Sequence, residues 1–343
     1  MADIRVHIEG KAGRITLNRP EALNALTYHM LLEIEAALDA WRDDPSVELV
    51  LIDAAGEKAF AAGGDIVDLY TTGRAGDFAF GRKFWADEYR VNAKVARYPK
   101  PYIAIMHGFV MGGGVGISAL GSHRIVTDGS QVAMPECGIG LVPDVGGSKL
   151  LADAPGHLGE YFGMTSSRMG PGDAIHAGFA DTYVPAAFIE ELTRQLVVTG
   201  RLDAIHDFAE VPAEGTAMRA QSGINAVFAA ETPLDVIERL EGFATDWAAK
   251  ALKSIRRNCP LSVACTMEMV RNARRMSRIE DALAQEYRFI WRCMEDGEFL
   301  EGIRAAVIDK DRQPRWARPR LEDISPEDVA YMLSIPPEGD LAL

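Results

Sequence analysis

An α/β core followed by an all-helical C-terminal part is the fold class that this 343-residue sequence predicts. Three observations carry it. In the first two-thirds of the chain, short β-rich apolar runs alternate with helical patterns, the grammar of strands joined by crossover helices. From about Ala186 only helical patterns follow. The composition, 48 % hydrophobic and 25 % charged, is that of an ordinary globular chain with room for about two domains. The reading places an α/β core at 1–200 and a helical C-terminal region packing on it at 201–343.

Ile4–Ile8 and Arg14–Leu17 read as a hairpin around Gly10 and Gly13. Thr27 caps a helix whose apolar face is Leu31, Ile34, Leu38 and Trp41, at spacings of three and four. Val47–Ile52 and Tyr102–Met106 are apolar strands, the second entered through Pro99 and Pro101. Phe78–Val95 is helical, Gly112–Leu120 begins a glycine-heavy helix, and Arg124–Thr127 and Gly178–Val184 are further strands. Ala204–Glu231 is poorly patterned and mixes short helices with loop. Thr232–Arg256, Leu261–Arg274 and Ile279–Glu295 read as helices, the last with Leu283, Tyr287, Ile290 and Met294 on one face. A final short helix follows Ser325-Pro326-Glu327.

Charge and termini exclude several classes of function. The formal net charge of −14 opposes binding to phosphate backbones, so nucleic acid is not expected as a partner. Cys137, Cys259, Cys265 and Cys293 form no CxxC pair, which fits a reducing compartment. The N-terminus lacks an apolar signal segment and an Arg-rich transit character, and no apolar run approaches the roughly 20 residues that span a bilayer. The expectation is a cytoplasmic protein without a membrane partner, or a mature form whose targeting segment is absent. There is no HExxH and no cysteine–histidine cluster, so no metal site is expected. Gly146-Gly147-Ser148-Lys149 has the wrong order for a phosphate loop. Gly116-Ile117-Ser118-Ala119-Leu120 ends in leucine, so it fails as a nucleophile elbow. His107 ends an apolar strand and reads as a satisfied core histidine.

Two glycine-rich turns stand out: Ala61–Ile66, after the Val47–Ile52 strand, and Gly108–Gly116, after Tyr102–Met106. Glycines let a backbone approach a ligand and leave N–H groups unscreened at a helix start. Two such turns can aim two donors at one oxygen, as an oxyanion hole does; tight strand-to-helix packing is the plainer reading. Downstream, Pro135-Glu136 and Pro143-Asp144 present two carboxylates on an otherwise apolar, glycine-rich loop, where desolvation raises a carboxyl pKa and suits acid–base work. Against this, Asp144 can simply cap a helix starting near Gly146, and Glu136 can be a solvated loop residue.

Asn18-Arg19-Pro20-Glu21-Ala22-Leu23-Asn24-Ala25-Leu26, Ala59–Ile66 and Gly112-Gly113-Gly114 resemble the crotonase (enoyl-CoA hydratase/isomerase) superfamily. The resemblance implies a spiral of ββα units with a helical C-terminal region. It also implies an acyl-CoA substrate and backbone donors at Ala62 and Gly113 that stabilise a thioester-derived oxyanion. The turn Glu21-Ala22-Leu23 would bear on CoA, while Gly63, Gly64 and Asp65 would lie along its pantetheine arm and Gly112 beside the substrate. Within the superfamily the pattern is similar to the 3-hydroxyisobutyryl-CoA hydrolase branch. A hydratase carries glutamate where this chain has Gly116 and glycine where it has Asp144. Met134-Pro135-Glu136, Pro143–Gly147, Asp87-Glu88-Tyr89 and the run Glu298–Asp311 followed by Pro314-Arg315-Trp316 match that branch.

The resemblance thus implies hydrolysis of a short β-hydroxyacyl-CoA, as in valine catabolism. Glu136 would act as general base or nucleophile, Asp144 would orient the substrate hydroxyl or the water, and Glu88 would position substrate. No cofactor is implied, CoA being part of substrate and product. An enoyl-CoA hydratase or isomerase, and a non-catalytic acyl-CoA-binding protein, are the alternatives. Family relatives often form trimers, whereas the long tail can pack on its own core, so a homo-oligomer stays open. Arg19 and Arg312–Arg320 are candidates to meet the CoA phosphates.

Overall fold

The strands of the computed structural model, which describes residues 2–343, are β1 (Ile4–Glu9), β2 (Ala12–Leu17), β3 (Leu49–Ala54), β4 (Ala59–Ala61), β5 (Tyr102–Met106), β6 (Phe109–Met111), β7 (His123–Val126), β8 (Gln131–Ala133) and β9 (Thr182–Tyr183). They form two sheets: a six-stranded one ordered β1-β2-β3-β5-β7-β9 and a three-stranded one ordered β4-β6-β8. Only the β1–β2 pair of the large sheet is antiparallel; β2–β3, β3–β5, β5–β7 and β7–β9 are parallel. Parallel strands are covered on both faces. That is why Leu49, Val50, Leu51 and Ile52 are all fully buried, as is the whole of β5 apart from a trace at Ile105.

The chain resolves into two compact units, each assembled from three segments. The first comprises residues 1–65, 90–132 and 169–218 and carries both sheets; the second comprises 66–89, 133–168 and 219–343 and is built from helices. The sequence reading cuts the chain once, at residue 200. The units instead interleave, because helical segments early in the chain belong with the C-terminal helices.

In the first unit, the β1–β2 register runs from Ile4 opposite Leu17 to Glu9 opposite Ala12, so the turn is Gly10-Lys11 and only Gly10 needs left-handed backbone. Gly13, expected in the turn, is a strand residue instead. A Cβ there would stand 2.4 Å from the Trp41 ring, so glycine is what lets the Tyr28–Trp41 helix lie on the sheet. Thr27 caps this helix as expected, its hydroxyl accepting the Met30 N–H at 3.2 Å. On one sheet face Leu49, Leu51, Ile103, Ile105 and Ile125 pack with Leu192, Leu196 and Ile205.

Several expected elements are shorter or divided. The helix expected over Gly112–Leu120 is only Gly113–Gly116, and Gly178–Val184 reduces to Thr182–Tyr183. Consecutive glycines supply no side chains to hold a helix, and the Ser118 hydroxyl turns back to the Gly114 carbonyl at 2.6 Å. In the second unit, Thr232–Arg256 is two helices, Pro233–Glu241 and Asp246–Arg257. The first ends on Gly242, and Thr245 adopts the extended backbone that starts the second. Ala204–Glu231 contains helices Ala204–Phe208 and Thr216–Phe228 with loop between, as expected. No helix among the described residues is long and apolar enough to cross a membrane.

The turn after β2 is held by one side chain. Leu23 and Asn24 are both left-handed, at φ +52° and +54°. Asn24 is 1 % exposed; its amide donates to the Ala55 and Ala59 carbonyls at 2.9 and 2.8 Å, and its Oδ1 accepts the Arg19 N–H at 2.8 Å. Removing it leaves buried main-chain groups unpaired. Asn24→Ala is therefore expected to lower the unfolding free energy by about 3 kcal/mol in urea titration. A loss below about 0.5 kcal/mol would show that these bonds do not hold the turn.

Candidate functional site

The two glycine-rich turns leave paired strands. β4 and β6 are parallel, with Ala59 opposite Phe109 and Ala61 opposite Val110, so both chains turn at the same end of the small sheet. The turns thus follow these short strands of a second sheet, whereas the sequence reading hangs them directly on β3 and β5. Their approach is close: a Cβ at Gly114 would stand 2.8 Å from the Ala61 carbonyl oxygen and side chain. Gly63, at φ +102°, faces the Met111 carbonyl, and Gly112 has φ +50°.

The Glu21-Ala22-Leu23 turn is stitched to the first glycine turn. Leu26 N–H donates to Gly63 O at 2.9 Å and Asp65 N–H to Leu26 O at 2.8 Å. The Ala62 N–H donates to the Leu23 carbonyl at 3.0 Å, so in this state it is engaged. Gly113 opens a helix of one turn, whose first N–H groups have no acceptor within the helix. Arg19 is also engaged: its guanidinium meets Asp65 at 3.1 Å and the Ala25 carbonyl at 2.7 Å, which makes it a strut for this turn. His107 is satisfied, Nε2 donating to the Gly56 carbonyl at 2.8 Å, but it is half-buried rather than a core residue.

Glu88, Glu136 and Asp144 belong to the second unit. Glu136 opens the 3₁₀ turn Glu136–Ile139 and is 4 % exposed, so the solvated-loop reading does not hold. Its Oε2 is buried with no hydrogen-bond partner. Asp144 is 4 % exposed, and its Oδ2 accepts the Tyr89 hydroxyl at 2.9 Å. Glu88 is 3 % exposed on the helix Phe78–Ala96.

Asp144 is not a helix cap. The helix Gly147–Asp153 begins on Gly146, which has no side chain to cap it. Its first N–H groups are taken by Glu286, from the helix Ile279–Cys293. Gly146 N–H donates to Glu286 Oε2 at 2.8 Å, Ser148 N–H to Oε1 at 2.9 Å, and the Ser148 hydroxyl to the same oxygen. Directly after Asp144 the backbone is strained: Val145 has φ +52°, which a β-branched residue rarely adopts, at a cost of order 1–3 kcal/mol.

The electrostatics follow from burial. Burial pushes Asp144 up to about 7, with the Tyr89 hydrogen bond opposing. Burial pushes Glu286 up to about 8, opposed by its Ser148 and Gly146 bonds. Glu136 and Glu88 are raised well above the usual carboxylate range, by burial first and then by the Asp144 charge. Such groups titrate as a set.

Glu286, Ser148 and the Tyr89 hydroxyl are the site features that the sequence reading misses. A signal for the first exists: Glu286 stands three residues after Leu283 and four before Ile290, a carboxylate on an apolar stripe.

A parallel sheet flanked by a small second sheet with paired glycine turns, together with a helical unit carrying buried acids, defines a crotonase-type α/β protein. The model for enoyl-CoA hydratase/isomerase matches residues 12–333, and the chain belongs to that family. It is 36 % identical over 339 residues to a chicken protein described as mitochondrial 3-hydroxyisobutyryl-CoA hydrolase, covering 96 % of this chain and 88 % of that one. Two crystal structures are similar at a TM-score of 0.95 over all of this chain. One, at 48 % identity over the whole of that chain, is described as an enoyl-CoA hydratase from Rhodobacter sphaeroides. The other, at 40 % identity over 99 % of that chain, is described as a carnitinyl-CoA dehydratase from Mycobacterium thermoresistibile.

The raised carboxyl groups fix a pH dependence of stability. Their folded pKa values, about 7 for Asp144 and about 8 for Glu286, exceed the unfolded values near 4, so the folded state binds more protons between these limits. The stability they contribute is present below about pH 4 and lost as pH rises through 7 to 8. Glu136→Gln and Asp144→Asn are expected to raise Tm at pH 8 more than at pH 5, measured by calorimetry. An equal shift at both values would place the ionisation elsewhere.

Proposed function

We propose that the protein hydrolyses a short β-hydroxyacyl-CoA, 3-hydroxyisobutyryl-CoA foremost, to the free hydroxy acid and CoA, the cleavage expected in valine catabolism. One observation carries this reading: Glu136 is buried with one oxygen unpartnered, and burial first, then the charge of Asp144, raises its pKa. A base with a raised pKa abstracts a proton from water more effectively near neutral pH. Gly116 supplies no second carboxylate where a hydratase would carry one, which favours chemistry at the thioester carbonyl. The name of the chicken relative supports the same substrate.

In the proposed reaction Gly113 N–H holds the carbonyl oxygen, and Ala62 N–H joins it by exchanging the Leu23 carbonyl for the substrate. Each such donor is worth about 10²–10³ in rate. Gly112 flanks that oxygen, Gly63, Gly64 and Asp65 line the pantetheine arm, and Glu21, Ala22 and Leu23 bear on CoA. Glu136 either takes the proton of the attacking water or attacks the carbonyl itself. In the first case the C–S bond of the tetrahedral adduct breaks and Glu136 returns the proton to the leaving thiolate. In the second the C–S bond breaks to leave a transient mixed anhydride; water then cleaves it, restoring the Glu136 carboxylate and supplying the proton that the thiolate takes. Asp144, fixed by Tyr89, orients the acyl hydroxyl or the water, and Glu88 positions the substrate. The four cysteines, all free and buried, support a reducing compartment such as the cytoplasm.

Thiol release over a panel of short acyl-CoAs tests the proposal. Hydrolysis of 3-hydroxyisobutyryl-CoA is expected to lead the panel, to fall by about 10²–10⁴ in Glu136→Gln, and to rise with pH as the acids ionise. Faster hydration of crotonyl-CoA would sink the hydrolase reading in favour of a hydratase. CoA binding without thiol release from any member would point to a non-catalytic acyl-CoA-binding protein. Single turnover in ¹⁸O-water separates the two roles of Glu136, because only nucleophilic attack leaves label in its carboxylate.

A further inference from the structure

We infer that Glu286 is a positioning residue for the Asp144 carboxylate, acting through the turn between Pro143 and Ser148; its kinetic consequence rests on the hydrolase reading above. Glu286 lies 142 positions along the chain from Asp144 by residue number and is fully buried on the helix Ile279–Cys293. Both of its oxygens are committed to one turn: Oε2 to Gly146 N–H at 2.8 Å, Oε1 to Ser148 N–H at 2.9 Å and to the Ser148 hydroxyl.

Within the turn itself only the Gly147 N–H to Asp144 carbonyl bond closes the backbone, and Glu286 supplies the side-chain acceptors. Val145 and Gly146 are successively left-handed, at φ +52° and +84°, and such a pair persists only where its surroundings over-determine it. Gly146, at the cap position, has no side chain to accept the helix N–H groups. A local acid could accept them, and Asp144 is the one at hand. If it did, its carboxylate would be consumed in capping. Glu286 does the capping in its place, and Asp144 is left with its main-chain carbonyl on Gly147 N–H at 2.6 Å and its carboxylate on the Tyr89 hydroxyl at 2.9 Å. The aim of Asp144 is thus fixed from two sides: Tyr89 orients the side chain, and Glu286 sets the backbone that carries it. An amide at 286 cannot reproduce this, since its NH₂ group would face an N–H donor where a second acceptor is required.

A positioning role differs from a merely structural one in what it does to selectivity. The measurement is kcat/KM for 3-hydroxyisobutyryl-CoA against isobutyryl-CoA, which lacks the hydroxyl, in wild type, Glu286→Gln, Asp144→Asn and the double variant, with crystal structures of wild type and Glu286→Gln. A misplacement of Asp144 by about 1 Å is expected to cost about 10²-fold in kcat on the hydroxylated substrate. The selectivity ratio should fall toward that of Asp144→Asn, and the double variant should match Asp144→Asn. The Tyr89–Asp144 bond should be lost in the Glu286→Gln structure. An unmoved turn with that bond intact overturns the inference; so does an equal loss on both substrates with the ratio unchanged. If wild type releases no thiol yet the turn moves in Glu286→Gln, the hydrolase reading fails and the positioning stands. Should Glu286→Gln not fold, Ser148→Ala removes one of the donors; it is expected to lower the ratio less, and an unchanged ratio with an unmoved turn overturns the inference.

Discussion

The cost of burying negative charge is the constraint on which the helical unit depends. Glu88, Glu136, Asp144 and Glu286 are all withdrawn from water, and the leading influences on each are burial, another carboxylate or a hydrogen-bond donor, with no basic side chain among them. Buried carboxylates without cations do not all stay ionised; they take up protons until the repulsion is bearable. What remains must be met by dipoles. Gly146 and Ser148 N–H groups with the Ser148 hydroxyl serve Glu286, and the Tyr89 hydroxyl serves Asp144. Glu136 Oε2 is left with nothing. The donors are thus distributed unevenly over the set, with Glu286 taking three and Glu136 Oε2 none.

In the first unit the arrangement runs the other way: backbone donors are gathered, and the charged Arg19 and Asp65 are paired with each other. Parallel pairing of β4 with β6 brings two glycine turns to one end of a small sheet, and the absence of a Cβ at Gly114 lets the second turn sit on Ala61. Asn24 and Arg19 brace the adjoining turn so firmly that even the Ala62 N–H is satisfied. A donor that has a protein partner before a ligand arrives costs less to keep buried than an orphan. It offers a correspondingly smaller gain when it changes partner.

How much was legible depended on whether the deciding contact was local. The Thr27-capped helix, β3, β5 and the helix on Phe78–Ala96 follow from periodicity and capping, because their apolar patterns repeat over several turns or fill a whole strand. β4, β6 and β8 are three residues each and carry no period; they exist because they pair with one another. The carboxylates at Glu136 and Asp144 were legible as candidates from the rigid apolar loop that presents them. Which of them is free and which is a cap was not, since the local rule makes Asp144 the cap and a glutamate far along the chain overrides it. Gly13 shows the same limit in miniature: read locally it is a turn residue, while Trp41 makes it a packing residue.

The net charge of −14 sets a last problem, because a polyanionic thioester needs cations and the chain has few to spare. The arginines that the sequence offers are not equivalent. Arg19 has a side chain 18 % exposed and bonds Asp65 and the Ala25 carbonyl, so withdrawing it would unpin the turn after β2. Arg318 and Arg320 pair with Asp328 and Asp323 from side chains 40 % and 70 % exposed. Exposed pairs of that kind are worth about 0–1 kcal/mol, less than a phosphate group can return through charge-assisted bonds. A cation held that lightly can exchange its carboxylate for a ligand phosphate, whereas Arg19 cannot do so without dismantling the turn. The acidity of the chain thus falls unevenly on its arginines: Arg19 is locked into the turn after β2, while Arg318 and Arg320 are held only by exposed pairs.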